Sequence, residues 1–254
     1  MDTSARVADE SFKHCHGARV VRDLVLEQPD AARIFETFGI DYCCGGGQTL
    51  AEACQSAKCS IEEVIRAISK CDMPAPERDW RTAPLGDLAQ YIVERHHSFA
   101  RAEISRLAGL ISKLVSAHGS NHPELLRVQR IFEGLSGELL QHMDKEEGLL
   151  FPYIEELEEA ARFSRRPPEP VFGTVQNPVA AMIMEHEASG QALDTMRGAT
   201  SNYALPASAC VSFKALYQSL PAFAADLHQH IHLENNILFP RAVELENDLA
   251  QKWR

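Results

Sequence analysis

A chain of 254 residues with 45% hydrophobic content is long enough for one sizeable core and a small second domain. Its formal charge of −11, with Lys and Arg scattered rather than gathered into a stripe, argues against a phosphate-neutralising nucleic-acid surface. No stretch approaches the ~18 apolar residues of a membrane span, and Met1 to Ala8 carries no apolar signal core, so a soluble cytoplasmic protein is expected.

Residues 1–16 read as a tail, in which His14-Cys15-His16 could touch a metal but a disordered end is the plainer reading. From 17 to 73 short helical patterns (Val20, Leu24, Ile34, Phe38, then Leu50, Val64, Ile65, Ile68) flank the string Asp41-Tyr42-Cys43-Cys44-Gly45-Gly46-Gly47. This predicts a small helical domain with a glycine-rich turn, where glycine permits positive φ and close backbone approach and leaves two thiols exposed. Adjacent cysteines strain the intervening peptide if they pair. Cys43 and Cys44 are therefore candidate redox or iron-transfer thiols, able to bind iron or a cluster intermediate or to exchange with a partner's thiols. The plainer alternative makes them two small buried hydrophobes. With Cys15, Cys54, Cys59, Cys71 and Cys210 the cysteines number seven, without CxxC spacing, which disfavours a disulfide framework or a zinc ribbon.

Two prolines in Met73-Pro74-Ala75-Pro76 break the helical periodicity, and Thr82-Ala83-Pro84 reads as a helix start, so residues 74–84 are the expected linker. From Leu85 to about Val115 apolar residues recur at helical spacing (Leu88, Ile92, Phe99, Ile104, Leu107, Ile111). Asn121-His122-Pro123 opens a second helix past Leu135, Leu139 and Met143, and a Pro- and Arg-rich connection follows from Arg162. Asn177-Pro178 starts a third, and Phe213, Leu216, Leu220, Phe223 and Leu227 mark a fourth. Residues 85–254 are thus expected to form an all-α, up-down four-helix bundle.

An internal repeat supports that bundle. His142-Met143-Asp144-Lys145-Glu146, followed by Leu150-Phe151-Pro152, returns 88 residues later as His230-Ile231-His232-Leu233-Glu234, followed by Leu238-Phe239-Pro240. His97 lies 45 residues before His142, and His186 lies 44 before His230. Each hairpin therefore contributes one lone histidine and one HxxxE pair, although His96 competes with His97 for the first place. Positions i and i+4 share a helix face, so each pair projects as a two-pronged set. His142 shares its stripe with Leu135, Leu139 and Leu149, and His230 shares its stripe with Phe223, Leu227 and Ile237, which puts ionisable groups inside the bundle. Burying an uncompensated carboxylate costs several kcal/mol against a total stability of ~5–15 kcal/mol, so something positive should compensate it. Imidazole and carboxylate without thiolate suit iron or manganese better than structural zinc, and two glutamates can bridge two metals. A bridging solvent oxygen would then leave one position per metal open. His118, His122, His228 and His232 read as ordinary surface side chains. Glu138, one turn before His142, and Glu185, next to His186, are candidates for an acidic outer layer or polar access route, with a solvated glutamate the plainer reading of each.

The bundle resembles hemerythrin-like domains, and with DYCCGG ahead of it the chain, from about 17 to 250, is similar to the iron–sulfur cluster repair di-iron proteins. The resemblance implies two non-haem irons with His97, His142, His186 and His230 as terminal ligands and Glu146 and Glu234 as bridges. Oxygen-carrying hemerythrins use a further histidine, so a more open centre is implied. It also implies a role in the nitrosative and oxidative stress response, repairing damaged iron–sulfur proteins and binding nitric oxide or oxygen. Nitric oxide reduction at the di-iron site, which would make the chain an enzyme, and sensing or storage of oxygen or nitric oxide are the alternatives. The oligomeric state is left open, a homodimer included.

Overall fold

The computed structural model describes residues 17–28, 30–69 and 78–253. The tail with His14, Cys15 and His16, the first part of the linker (74–77), and Cys71 lie outside the described residues.

Among the described residues four short helices precede the bundle: α1 (Val21–Glu27), α2 (Ala31–Phe38), α3 (Leu50–Ala57) and α4 (Ile61–Ser69). Helix α2 stops at Gly39, whose left-handed φ of 68° disfavours any side chain. Helix α3 starts at a capping box, in which the Thr49 hydroxyl accepts the Glu52 N–H and the Glu52 carboxylate accepts the Thr49 N–H. An isolated bridge between Val20 and Thr49 is the single strand-like pairing among the described residues.

Four long arms follow. The first is α5 (Leu85–Ile92), a π-turn (Val93–His97) and α6 (Ser98–His118). The second is α7 (Glu124–Lys145), a π-turn (Glu146–Leu150) and α8 (Phe151–Arg162). The third is α9 (Gln176–Ala199), and the fourth is α10 (Val211–Leu233), a π-turn (Glu234–Leu238) and α11 (Phe239–Lys252). Helices α6, α7, α9 and α10 close a ring in which each packs on its chain neighbour and α10 returns to α6, the arrangement of an up-down bundle. None of the described helices is long and apolar enough to cross a membrane.

Two of the three π-turns begin at the repeated glutamates, and Phe-Pro follows each one. Proline offers no N–H and clashes with the carbonyl one turn back, and the wider π-turn relieves that conflict. It also advances the register, which corrects one expectation. Leu149 is exposed rather than on the His142 stripe, and Leu150 is buried instead.

The apolar core has two parts, and the histidines and glutamates sit at their seam. One part holds Leu107, Phe132, Leu216 and Phe223. The other holds Leu88, Ile92, Ile154 and Leu238. Along every arm the chain passes from one to the other at a candidate ligand. The first part also takes in Val21, Phe35, Tyr42 and Leu50, so the short helices and one end of the bundle share a buried cluster.

Candidate metal centre

Six side chains meet at the seam in two groups of four: His97, Glu146, His230 and Glu234, and His142, Glu146, His186 and Glu234. Within each group the candidate ligand atoms lie within 4.8 Å of one another, and every residue is buried. The two glutamates belong to both groups. Glu146 Oε2 is 3.2 Å from His142 Nε2 and 3.4 Å from His97 Nε2. Glu234 reaches His230 Nε2 through Oε1 at 2.9 Å and His186 Nε2 through Oε2 at 3.1 Å.

The rings meet by their Nε2 atoms, His97 to His230 at 3.1 Å and His142 to His186 at 3.0 Å. Two nitrogens each ~2.1 Å from one ion, at about a right angle, stand that far apart. Both Glu146 oxygens and Glu234 Oε2 are buried without a hydrogen bond of proper geometry, close to imidazoles yet misaligned with them. Such groups converge on a shared point rather than on each other. Orphaned buried carboxylate oxygens are costly, and a cation at that point would satisfy them. The donors fit iron.

Protons supply part of that charge. Burial works against charging His97, but Glu146 and Glu234 outweigh it and raise the imidazole to about 10. His142 rises to about 9 by the same competition, with Glu146 its main partner. Burial works to raise both carboxyls, and the Glu234 charge adds to it at Glu146, but the imidazoles hold both below the usual range. A cation entering the cluster must displace those protons, so its uptake strengthens as pH rises toward 9.

A family model described as the hemerythrin HHE cation binding domain matches residues 88–242. The chain belongs to that family. A second model, a domain of unknown function called DUF542, matches residues 17–72. The iron-sulfur cluster repair protein YtfE of Musicola paradisiaca is 36% identical over 229 residues, which is 88% of this chain and 96% of that one. Its namesakes from Citrobacter koseri and Escherichia coli O17:K52:H18 are 32% identical over 221 residues, 87% of this chain and 94% of theirs.

Around this hemerythrin-type cluster stand further polar groups, of which Glu147 and Asn235 were not singled out in the sequence. Glu185 accepts from His142 Nδ1 at 2.9 Å, and Lys145 pairs with its other oxygen. Glu147 faces His97 Nδ1 at 2.8 Å and Arg101 at 3.0 Å, and Asn235 Oδ1 faces His186 Nδ1 at 2.8 Å. Both follow a repeated glutamate directly, a signal present in the sequence. Glu138 is exposed and lines a 310 Å³ cleft with Gln141, His142, Lys145 and Glu185. His96 is buried too, but it faces Asp226, 3.2 Å from its Nδ1, and lies outside both four-residue groups.

The cysteine turn departs from expectation in two ways. Cys43 is buried, not exposed, and only Cys44 reaches partway to solvent, on the wall of a 550 Å³ cavity. The Cys44 thiol, burial and the Asp41 carboxylate push the Cys43 thiol well up. Gly45, Gly46 and Gly47 have ordinary negative φ. What the turn needs is close approach: a Cβ on Gly46 would sit 2.4 Å from the Tyr42 carbonyl oxygen. Asp41 closes the turn, its Oδ1 accepting from the Cys43 and Cys44 N–H groups at 3.0 and 2.9 Å and its Oδ2 from Gly45 N–H at 2.8 Å.

His232, expected on the surface, is buried beneath that turn. Its Nδ1 is 3.3 Å from the Tyr42 carbonyl, Asn236 donates to the Cys43 carbonyl at 3.1 Å, and His228 lies edge-on to Tyr42. Burial holds His232 neutral, down to about 4. These two histidines tie the cysteine turn to the bundle and stand outside the cluster. His232→Ala should therefore lower stability by roughly 1–3 kcal/mol while iron content stays near that of the unaltered chain. Denaturant unfolding and metal analysis check this, and iron loss as severe as from His230→Ala contradicts it.

Proposed function

We propose that the chain is a di-iron protein that repairs damaged iron–sulfur clusters. In this reading it holds about two iron ions, with His97 and His230 on one, His142 and His186 on the other, and Glu146 and Glu234 bridging both. The observation that carries the reading is the pair of buried four-residue groups sharing two carboxylates. The repair role is supported by relatives named iron-sulfur cluster repair proteins along most of the chain. Bound iron would supply Lewis acidity and redox chemistry toward a small ligand such as nitric oxide or oxygen.

The chain's own residues divide the remaining work. Glu185 and Glu147 hold His142 and His97 with Nε2 turned to the cluster. Glu138 and Glu185 line a cleft whose wall includes His142. Cys44, with Cys43 behind it, presents sulfur in a cavity walled by Asp41, Tyr42 and helices α9 and α10. We assign residues 17–73 to this thiol function, 74–84 to a linker and 85–254 to iron.

Changing Cys43 and Cys44 together to Ser tests the division. Serine keeps approximate size and removes the soft sulfur donor. Iron content should be unchanged, and reactivation of an oxidant-damaged cluster enzyme should fall by roughly ten-fold. Repair at the unaltered rate makes the thiols structural and rejects their assignment.

A further inference from the structure

We infer that the two metal positions hold their ions unequally, and that the position on His97 and His230 is the one that gives its ion up. The inference rests on the dinuclear reading above and concerns which half of the cluster is labile.

Three of the four imidazoles are anchored from behind. His97 Nδ1 meets the Glu147 carboxylate at 2.8 Å, His142 Nδ1 meets Glu185 at 2.9 Å, and His186 Nδ1 meets the Asn235 amide oxygen at 2.8 Å. The fourth is not: His230 Nδ1 is buried with no partner. Its neighbour is the His96 ring, with centroids 6.0 Å apart and planes 14° apart, and no hydrogen bond reaches the His230 Nδ1 from it.

The sequence repeat explains this asymmetry. Glu147 and Asn235 both follow a bridging glutamate, and each anchors the lone histidine of its own half. Glu185 precedes the lone histidine of the second half and anchors His142 of the first. The residue at the matching place in the first half is His96, where a carboxylate would have anchored His230. The two anchoring carboxylates are themselves matched, since Arg101 backs Glu147 and Lys145 backs Glu185. The difference between the positions therefore reduces to Asn235 behind His186 and nothing behind His230. An outer hydrogen bond fixes ring orientation and raises ligand basicity, and losing one typically weakens metal binding by 10–100-fold. His230 can turn its ring without breaking such a bond, and its ion has the weaker hold.

The test is chelator extraction from the full chain loaded with ⁵⁷Fe, using a ferrous-specific phenanthroline after reduction. Release should be biphasic, with the first ion leaving at least about ten-fold faster than the second. Glu147→Gln should speed the fast phase alone. Glu185→Gln and Asn235→Ala should speed the slow phase, and Asn235→Ala should bring the two rates together. Mössbauer spectra of half-extracted protein should keep one of two original doublets. Release of both ions in one phase from the unaltered chain overturns the inference and leaves the dinuclear reading standing. A fast phase that responds to Glu185→Gln rather than Glu147→Gln overturns the assignment of the labile position. Loading of a single ion at the outset overturns both.

Discussion

Glu146→Ala and Glu234→Ala should each take the chain from about two irons to near none. Either carboxylate stands within reach of a histidine from both groups, so deleting one strips a donor from both positions at once. A histidine variant behaves differently. His186→Ala removes a donor from one group only and should leave the ion on His97 and His230 partly bound. The glutamate variants also lose the counter-charge of buried imidazoles, at a cost of about 3–5 kcal/mol, so metal content must be read on protein shown to be folded. Glu146→Gln keeps the shape and one oxygen donor, and should lose less iron than Glu146→Ala. If Glu146→Ala or Glu234→Ala retains as much iron as His186→Ala, the shared carboxylates are not bridges.

Removing residues 1–78 should leave the iron cluster in place and weaken the fold that holds it. All six candidate ligands lie after the cut. The cut nevertheless takes Tyr42 away from His228 and His232 and opens the apolar cluster that runs from Phe35 and Tyr42 to Leu227 and Ile231. Uncovering one fully buried aromatic and its neighbours costs roughly 3 kcal/mol, which in a domain of this size lowers the melting temperature by roughly 6–12 °C. The fragment should therefore bind iron, melt earlier and repair clusters poorly. Scanning calorimetry beside metal analysis gives the answer, and a fragment that loses its iron means that the short helices complete the site.

The bundle and the candidate cluster were legible in the sequence because their signals are local. An i, i+4 spacing of His142 with Glu146 recurs at His230 and Glu234 together with its apolar context, and helix geometry alone puts each pair on one face. The π-turns were not legible. Nothing in the spacing of Leu149 and Leu150 says that a residue is inserted into the turn, although the Phe-Pro that follows each repeat is the physical reason one is tolerated. The seat of His232 was hidden for another reason: its partner, the Tyr42 carbonyl, is 190 residues away. Glu147 and Asn235 fall between these cases. Their positions in the repeat were visible, but their roles follow only once the π-turns carry them behind His97 and His186.

Whether two ions share one buried set of six side chains is decided by iron per folded chain on anaerobically purified, ⁵⁷Fe-reconstituted protein, with its Mössbauer spectrum. About two tightly bound irons per chain are expected, magnetically coupled through their shared bridges. A folded, fully reconstituted chain that holds one iron, or two with no coupling between them, contradicts a shared site.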